Sequence, residues 1–190
     1  MSAEIASIII RKARISDAPG VGRVYVKTWR SAYAGLVPDR VLVGMSEVSQ
    51  AGNWHRQIER SKGSTVMVAE ADRERIVAVG SAGPARGAGE NTGEVYTLYV
   101  DPDWQGRDIG RSLLAALFRA LAAEGRDRAI IWVLAANPSR FFYEAVGGVR
   151  TVERIEKLWG TELPEIGYCW DDLPVALATD GPLGKDRSAE

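Results

Sequence analysis

The 190-residue chain has one cysteine, Cys169, and one histidine, His55. A lone cysteine rules out an internal disulfide and makes a reducing compartment the simpler home. A lone histidine rules out a multi-histidine metal site. It leaves a Ser–His–Asp triad only His55 to use, far from any nucleophile-elbow sequence. No metal site is expected. Neither sign of charge is in excess, with 24 Lys and Arg against 25 Asp and Glu, which argues against a general binder of nucleic acid or of anionic membrane. Long apolar runs are missing too. The longest, residues 129–136, is far too short to span a bilayer. The opening MSAEIASIIIRKAR holds no apolar segment of signal-peptide length. The expectation is a cytoplasmic chain with no nucleic-acid or membrane partner, running chemistry that needs only positioning and proton transfer.

What remains is an ordinary globular balance, 46% hydrophobic and 26% charged. The length suits one domain with a real core, set at residues 1–173. From residue 174 large apolar side chains thin out, and residues 174–190 read as a loose tail.

The rest of the chain is organised around residues 94–112, EVYTLYVDPDWQGRDIGRS. Val95 to Val100 are β-branched, aromatic or apolar and apolar on both faces, the pattern of a central strand. Asp101-Pro102 stops it. A short loop leads into a helix starting near Asp108 or Ile109, whose buried face is Ile109, Leu113, Leu114, Leu117, Phe118 and Leu121, with Gly125 ending it. Strand, loop and helix, with Gly106 and Gly110 at the join, aim free N–H groups and the positive end of the helix dipole at an anion. Arg107 and Arg111 add charge there. The join is neither a Walker A loop nor a dinucleotide G-x-G-x-x-G.

Elsewhere, residues 8–12 suggest a strand. Ser16 is placed as the N-cap of a helix whose face carries Val21, Tyr25, Thr28, Trp29 and Ala32, with Gly35 at its stop. A loop carries Val37-Pro38-Asp39. Ser46 caps a second helix striped by Val48, Ala51, His55 and Ile58. Residues 65–70 and 76–81 form a hairpin about the polar turn 71–75, and residues 83–93 a glycine-rich loop. Residues 129–135, 149–159 and 162–170 are further strands, and residues 140–146 a short helix closed by Gly147-Gly148. Strand, helix, strand through residues 94–135 implies a parallel pair; the hairpin and the last two strands make the remainder antiparallel. The fold class is α/β with a mixed sheet.

Gln105-Gly106-Arg107-Asp108-Ile109-Gly110, following the triplet Leu98-Tyr99-Val100, resembles the acetyl-CoA site of the GNAT superfamily of N-acetyltransferases, with Asp108 where the family usually has glycine. Asn137-Pro138-Ser139-Arg140-Phe141-Phe142-Tyr143-Glu144-Ala145-Val146-Gly147-Gly148 resembles a second segment of the same family, in the right order along the chain. The resemblance implies a GNAT-like acyl-CoA N-acyltransferase fold, a central twisted sheet flanked by helices. It also implies acetyl-CoA as co-substrate, held by Leu98, Tyr99, Val100, residues 105–112 (Gln105 through Ser112) and Asn137. Tyr143 would face the thioester sulfur and, with a reference pKa of ~10, serve as general acid. The acceptor, a small-molecule or peptide amine, would lie near Trp29, Tyr33 and Tyr96. A homodimer is left open.

The amine must lose a proton before it attacks a thioester, and a carboxylate, directly or through water, can take it. Glu94 is the candidate base. It lies six residues before Val100, roughly 20 Å of extended strand, where an arm running back from the helix start would end. The rival reading is a non-catalytic CoA-binding module whose cradle Asp108 weakens; a small kinase is a more distant one, lacking the Walker A lysine. His55 reads as a helix-face residue and Cys169 as a small buried one.

Overall fold

A computed structural model of the protein describes residues 7–60, 63–72, 74–87, 89–178 and 180–184. Its centre is one seven-stranded sheet, in the order β1-β2-β3-β4-β5-β7-β6. The strands are β1 (Ile9–Lys12), β2 (Thr65–Ala71), β3 (Arg75–Pro84), β4 (Thr92–Val100), β5 (Arg128–Leu134), β6 (Val149–Leu158) and β7 (Thr161–Trp170). The helices are α1 (Ala18–Ala32), α2 (Asp39–Gly44), α3 (Glu47–Glu59), α4 (Ile109–Ala123), α5 (Arg140–Ala145) and α6 (Leu173–Leu177). β4 is the middle strand, as its two apolar faces require. It pairs antiparallel with β3 and parallel with β5, the one parallel pair in a mixed sheet. β7 lies between β5 and β6, so the last hairpin folds back across its own origin.

The faces follow from the periodicity. α4 puts Leu113, Leu114, Leu117 and Phe118 out of solvent entirely, the last three against Val95, Ile131, Val133, Tyr143 and Tyr168 and Leu113 against Ala69, Val77 and Ala78. Each of those four α4 side chains contributes roughly 1.5–3 kcal/mol by burial. On the opposite face α1 and α3 pack Val21, Val24 and Trp54 on Val66, Val68 and Val79.

Some expectations needed correction. Asp17, not Ser16, precedes α1; it accepts hydrogen bonds from Arg14 N–H at 2.6 Å and from the Arg11 guanidinium. Ser46 does cap α3, accepting from Ser49 N–H. Trp54, however, is the residue α3 buries; Val48 and His55 are exposed. Trp54 lies one residue, about 100° round the helix, from His55; it shares the inner side with half-buried Ala51 and Ile58, and the larger apolar side chain takes the core. The loop beginning at Val37 is short, because α2 follows at once. The turn 71–75 is entered and left by strand residues, with Arg73 outside the described residues. Most of all, the segment after residue 173 is packed as far as it is described. Asp172 accepts from Val175 N–H to cap α6, and Leu173, Ala176 and Leu183 are buried against α4. Residues 185–190 of the expected tail lie outside the described residues.

Candidate active site

The site begins where β4 and β5 stop pairing. Their parallel register runs from Thr92 opposite Arg128 only to Val95 opposite Ile131. Beyond it β4 continues to Val100 and β5 to Leu134 as separate strands. Tyr96 marks the change: the β3–β4 ladder shifts between Ser81 opposite Thr97 and Ala82 opposite Val95, leaving Tyr96 as the extra residue of a bulge. The parted strands open a cavity of about 540 Å³. Its walls are Tyr96, Thr97, Leu98, Tyr99 and Val100 on one side and Ile131, Trp132 and Val133 on the other. No β5 ladder bonds are made by the backbone of residues 96–100, so that edge faces the opening.

At one end the cavity meets the start of α4. The first helical bond is Ser112 N–H to Asp108 C=O, 3.0 Å. The N–H groups of Ile109, Gly110 and Arg111 precede it and have no partner within the helix. Gln105, Gly106, Asp108, Ile109, Gly110 and Arg111 all line this end. Gly106 has φ +74°, a conformation in which any side chain is strained. Gln105 donates to Val100 C=O at 3.2 Å and ties the loop to the strand end. Asp108 also sits in the left-handed region, at φ +55°. That explains why glycine suits the position and why aspartate, one of the more tolerant residues, can replace it. Its carboxylate makes no capping bond, is half exposed and pairs with Arg111 at 3.7 Å. Arg111 also reaches the Pro182 carbonyl and so links the cradle to the C-terminal segment. Arg107 is outside the cavity wall, its guanidinium 4.7 Å from the Trp104 ring centre. Ser112 does not line the cavity either.

The middle and far end carry hydroxyls. Asn137, Phe142 and Tyr143 line the cavity from the β5–α5 side, and Tyr33 closes it from α1. Asn137 accepts from Ser139 N–H at 2.9 Å, forming the turn that starts α5. Tyr143 is buried. Burial, with a smaller contribution from Tyr33, pushes its phenol well up. Burial does the same to Tyr33, against the opposing pull of hydrogen bonds from Tyr99 and Asn137, and to Tyr99. All three phenols are therefore neutral at physiological pH. Trp29 stands behind Tyr33, ring centres 4.5 Å apart, and supports it without lining the cavity. Trp159, at the tip of the last hairpin, packs edge-on against Trp29 at 6.0 Å.

Glu94 is not in the wall. Its carboxylate is 1% exposed and accepts from Arg86 N–H at 3.0 Å and Nε at 3.1 Å. Two residues on, Tyr96 lines the cavity and donates to Pro84 C=O. Glu94 thus lies just past the cavity's end, clamped by the loop between β3 and β4. Sequence reasoning missed Arg86, Trp104, Trp132 and Phe142; Arg86 in a glycine-rich loop eight residues before a buried carboxylate was the one available signal.

A cleft with apolar walls, an edge of free strand backbone and a helix start with unpaired N–H groups fits a long acyl carrier with an anionic end. Residues 28–148 match the family model described as Acetyltransferase (GNAT) family. The chain belongs to that family. It is 30% identical over 167 residues to the uncharacterized N-acetyltransferase YuaI of Bacillus subtilis strain 168, covering 87% of this chain and 94% of that one. It is 31% identical over 111 residues to the mycothiol acetyltransferase of Kocuria rhizophila, 57% of this chain but only 35% of that protein. Among solved structures it shares the fold of PaiA N-acetyltransferase from Thermoplasma acidophilum in complex with coenzyme A. There the TM-score is 0.63 at 20% identity, over 84% of this chain and 98% of that one. It likewise resembles YncA from Salmonella typhimurium with acetyl-CoA, TM-score 0.66 at 20% identity, over 87% and 94%. The mixed sheet flanked by helices is the GNAT fold, and the protein is a GNAT N-acetyltransferase. Among the described residues no helix is long and apolar enough to cross a membrane.

Proposed function

We propose that this enzyme moves the acetyl group of acetyl-CoA directly to the nitrogen of an amine acceptor, giving an amide and free CoA thiol. The observation that carries the reading is the cavity itself, which runs from the open start of α4, between the parted β4 and β5, to Tyr143. Acetyl-CoA supplies an activated thioester. The N–H groups of Ile109, Gly110 and Arg111 and the Gln105–Gly106 turn would hold its pyrophosphate, with the helix dipole adding to the attraction. Leu98, Tyr99 and Val100 would pair with its amide-bearing arm, and their free N–H groups would support negative charge building on the thioester oxygen. Asn137 would hold the arm from the other side, with Arg107 and Ser112 contributing from outside the wall.

Tyr143 stays protonated because burial raises its phenol. A phenol held above its usual ~10 gives up a proton less readily than a thiol near 8.5. Its work is therefore to donate a hydrogen bond to the leaving sulfur and to hand over its proton only as water replaces it, so that the sulfur ends as a thiol and the phenol ends neutral. Glu94 takes the amine's proton through water, since Arg86 holds the carboxylate just outside the wall. Tyr33 and Tyr96 face the acceptor, with Trp29 behind them. The setting is the cytoplasm, and no nucleic acid takes part.

The test is release of CoA thiol from acetyl-CoA in the presence of a panel of primary amines, with the acetylated product weighed by mass spectrometry. Turnover on at least one amine that falls in Tyr143→Phe supports the reading. Tight acetyl-CoA binding without transfer to any amine would favour a CoA-binding module instead.

A further inference from the structure

On the sheet face opposite α4, helices α1 and α3 pack on β2, β3 and β4, at Val66, Val68, Ile76, Val79 and Tyr99. The sheet continues past them through β5, β7 and β6. Side chains alternate along a strand. β5 sends Ile131 and Val133 into the α4 core, and β7 sends Ile166 and Tyr168. Trp132 and Glu165 therefore point to the other face, and Arg154 of β6, opposite Glu165, joins them. Gly167 keeps this surface hollow: a Cβ there would lie 2.5 Å from Val152 Cγ2 and 3.3 Å from Trp132 Cζ3, so a side chain would fill the depression.

Two guanidinium groups stand over the cavity walls formed by Tyr96 and Trp132. Arg154 lies over the Trp132 ring, 4.0 Å from its centre, and Arg86 over the Tyr96 ring at 5.2 Å. Stacking on an aromatic face orients a guanidinium and leaves its edge open to a ligand. Arg154 donates from Nε to Glu165 at 2.7 Å, and its Nη1 and Nη2 have no hydrogen-bond partner among the described residues. Arg86 uses Nε and Nη2 on Glu94, and its Nη1 is likewise unpartnered there. The carboxylates are the reverse. Glu94 is withdrawn from solvent, and the Glu165 side chain is 15% exposed against 35% for Arg154 and 68% for Arg86. The Arg86 guanidinium is held charged chiefly by Glu94 and, from β7, in small part by Glu165, which sets both ion pairs in one neighbourhood. This end of the cavity offers unused donors and few unused acceptors, the pattern of a carboxylate site.

We propose that the acceptor carries a carboxylate close to its amine, and that Arg154 is the residue that selects it. The inference rests on the acetyl-transfer reading of the same cavity and adds the acceptor's chemical class. The carboxylate takes the Nη1–Nη2 edge of Arg154, the acceptor's stem lies on Trp132, and its amine reaches past Tyr96 toward the thioester. Arg86 adds its remaining Nη1 without leaving Glu94. A free amino acid and the first residues of an acidic peptide both present this chemistry.

The test measures steady-state transfer from acetyl-CoA to a set of L-amino acids and to the carboxamide of each, which keeps the side chain and the amine and removes the negative charge. A second arm sets C-terminally amidated peptides with aspartate in second place against the same peptides with asparagine; a preference found in one arm alone identifies the source of the carboxylate. The carboxylate form should be used about tenfold better or more in kcat/KM, mainly through KM. Arg154→Gln should lose that preference by falling on the carboxylate acceptors, while turnover on the amide forms and the Kd for acetyl-CoA stay within about twofold, which separates lost recognition from lost folding. Arg154→Lys should restore part of the preference. Equal or better use of amines that lack a carboxylate, or a preference that survives Arg154→Gln, would overturn the proposal and leave acetyl transfer standing. Turnover on no amine at all would overturn the transfer reading and this inference with it.

Discussion

Asp108 offers the sharpest perturbation of the proposed pyrophosphate site, because its charge and its backbone conformation can be changed separately. Its carboxylate stands at the positive end of α4, at φ +55°, half exposed and 3.7 Å from Arg111. Asp108→Asn keeps a residue that tolerates the left-handed region and removes only the charge. A unit charge ~6 Å away in high dielectric is worth about 0.7 kcal/mol, so two phosphate charges give about 1.4 kcal/mol of repulsion at low salt. Screening with a Debye length of about 8 Å at physiological ionic strength roughly halves that. Asp108→Asn should thus tighten acetyl-CoA binding about tenfold at low salt and about threefold at physiological salt. Asp108→Gly should show the same gain in affinity. Its fold stability should change by less than about 1 kcal/mol, since relief of backbone strain offsets the greater freedom of the unfolded chain. Calorimetric titration at two salt concentrations reads both values. An unchanged or weaker affinity in Asp108→Asn, or a gain indifferent to salt, would refute the placement of the pyrophosphate at the start of α4.

Tyr143→Phe should lower kcat about tenfold to a hundredfold while the Kd for acetyl-CoA stays within about twofold, as expected for a group acting mainly on the leaving sulfur; an unchanged kcat removes Tyr143 from that role. Glu94→Gln should flatten the rising limb of the pH–rate profile. Arg86→Gln, which releases the carboxylate from its clamp, should keep that limb; identical profiles in both variants and the parent would place the base elsewhere. At Asp17, burial opposes ionisation, but the hydrogen bond from Arg11 and that from Arg14 N–H outweigh it, and the carboxyl is held below its ordinary value of 3.8. A carboxyl depressed by folding adds stability above its unfolded pKa and loses it as pH falls through the folded one. Asp17→Asn should therefore cost about 1–3 kcal/mol at neutral pH, and the gap to the parent should close below about pH 4; a gap independent of pH would contradict the pairing with Arg11.

The strand–loop–helix of β4 and α4 could be read directly, because local signals agreed there: β-branched and aromatic residues, then proline, then glycine, then a clean helical period. Tyr143 and Asn137 came from a recognisable segment, and both line the cavity. The parting of β4 and β5 could not be read. Val95 and Leu98 look alike in sequence, and it is the bulge at Tyr96 that marks where the paired half of the strand gives way to the open half. Glu94 shows the same gap from the other side. Its spacing from the helix start placed it at the end of the cleft, but its burial against Arg86 depends on how a loop folds back. At the C-terminus, Asp172 followed by Pro174 was a legible helix start, and the scarcity of large apolar residues hid it. Two leucines, Leu173 and Leu183, with Ala176 buried between them, suffice to dock the segment on α4.

The central claim is that the cavity between β4 and β5 holds acetyl-CoA, and the melting temperature with excess acetyl-CoA tests it most directly, with ATP and NAD as controls. A ligand that binds only the folded state at a hundredfold excess over its Kd stabilises by about 2.7 kcal/mol, or roughly 5–10 °C for a chain of this size. The expected result is an upward shift of that order with acetyl-CoA and CoA, and none with the controls. No shift with acetyl-CoA, or equal shifts with all four nucleotides, would contradict the claim.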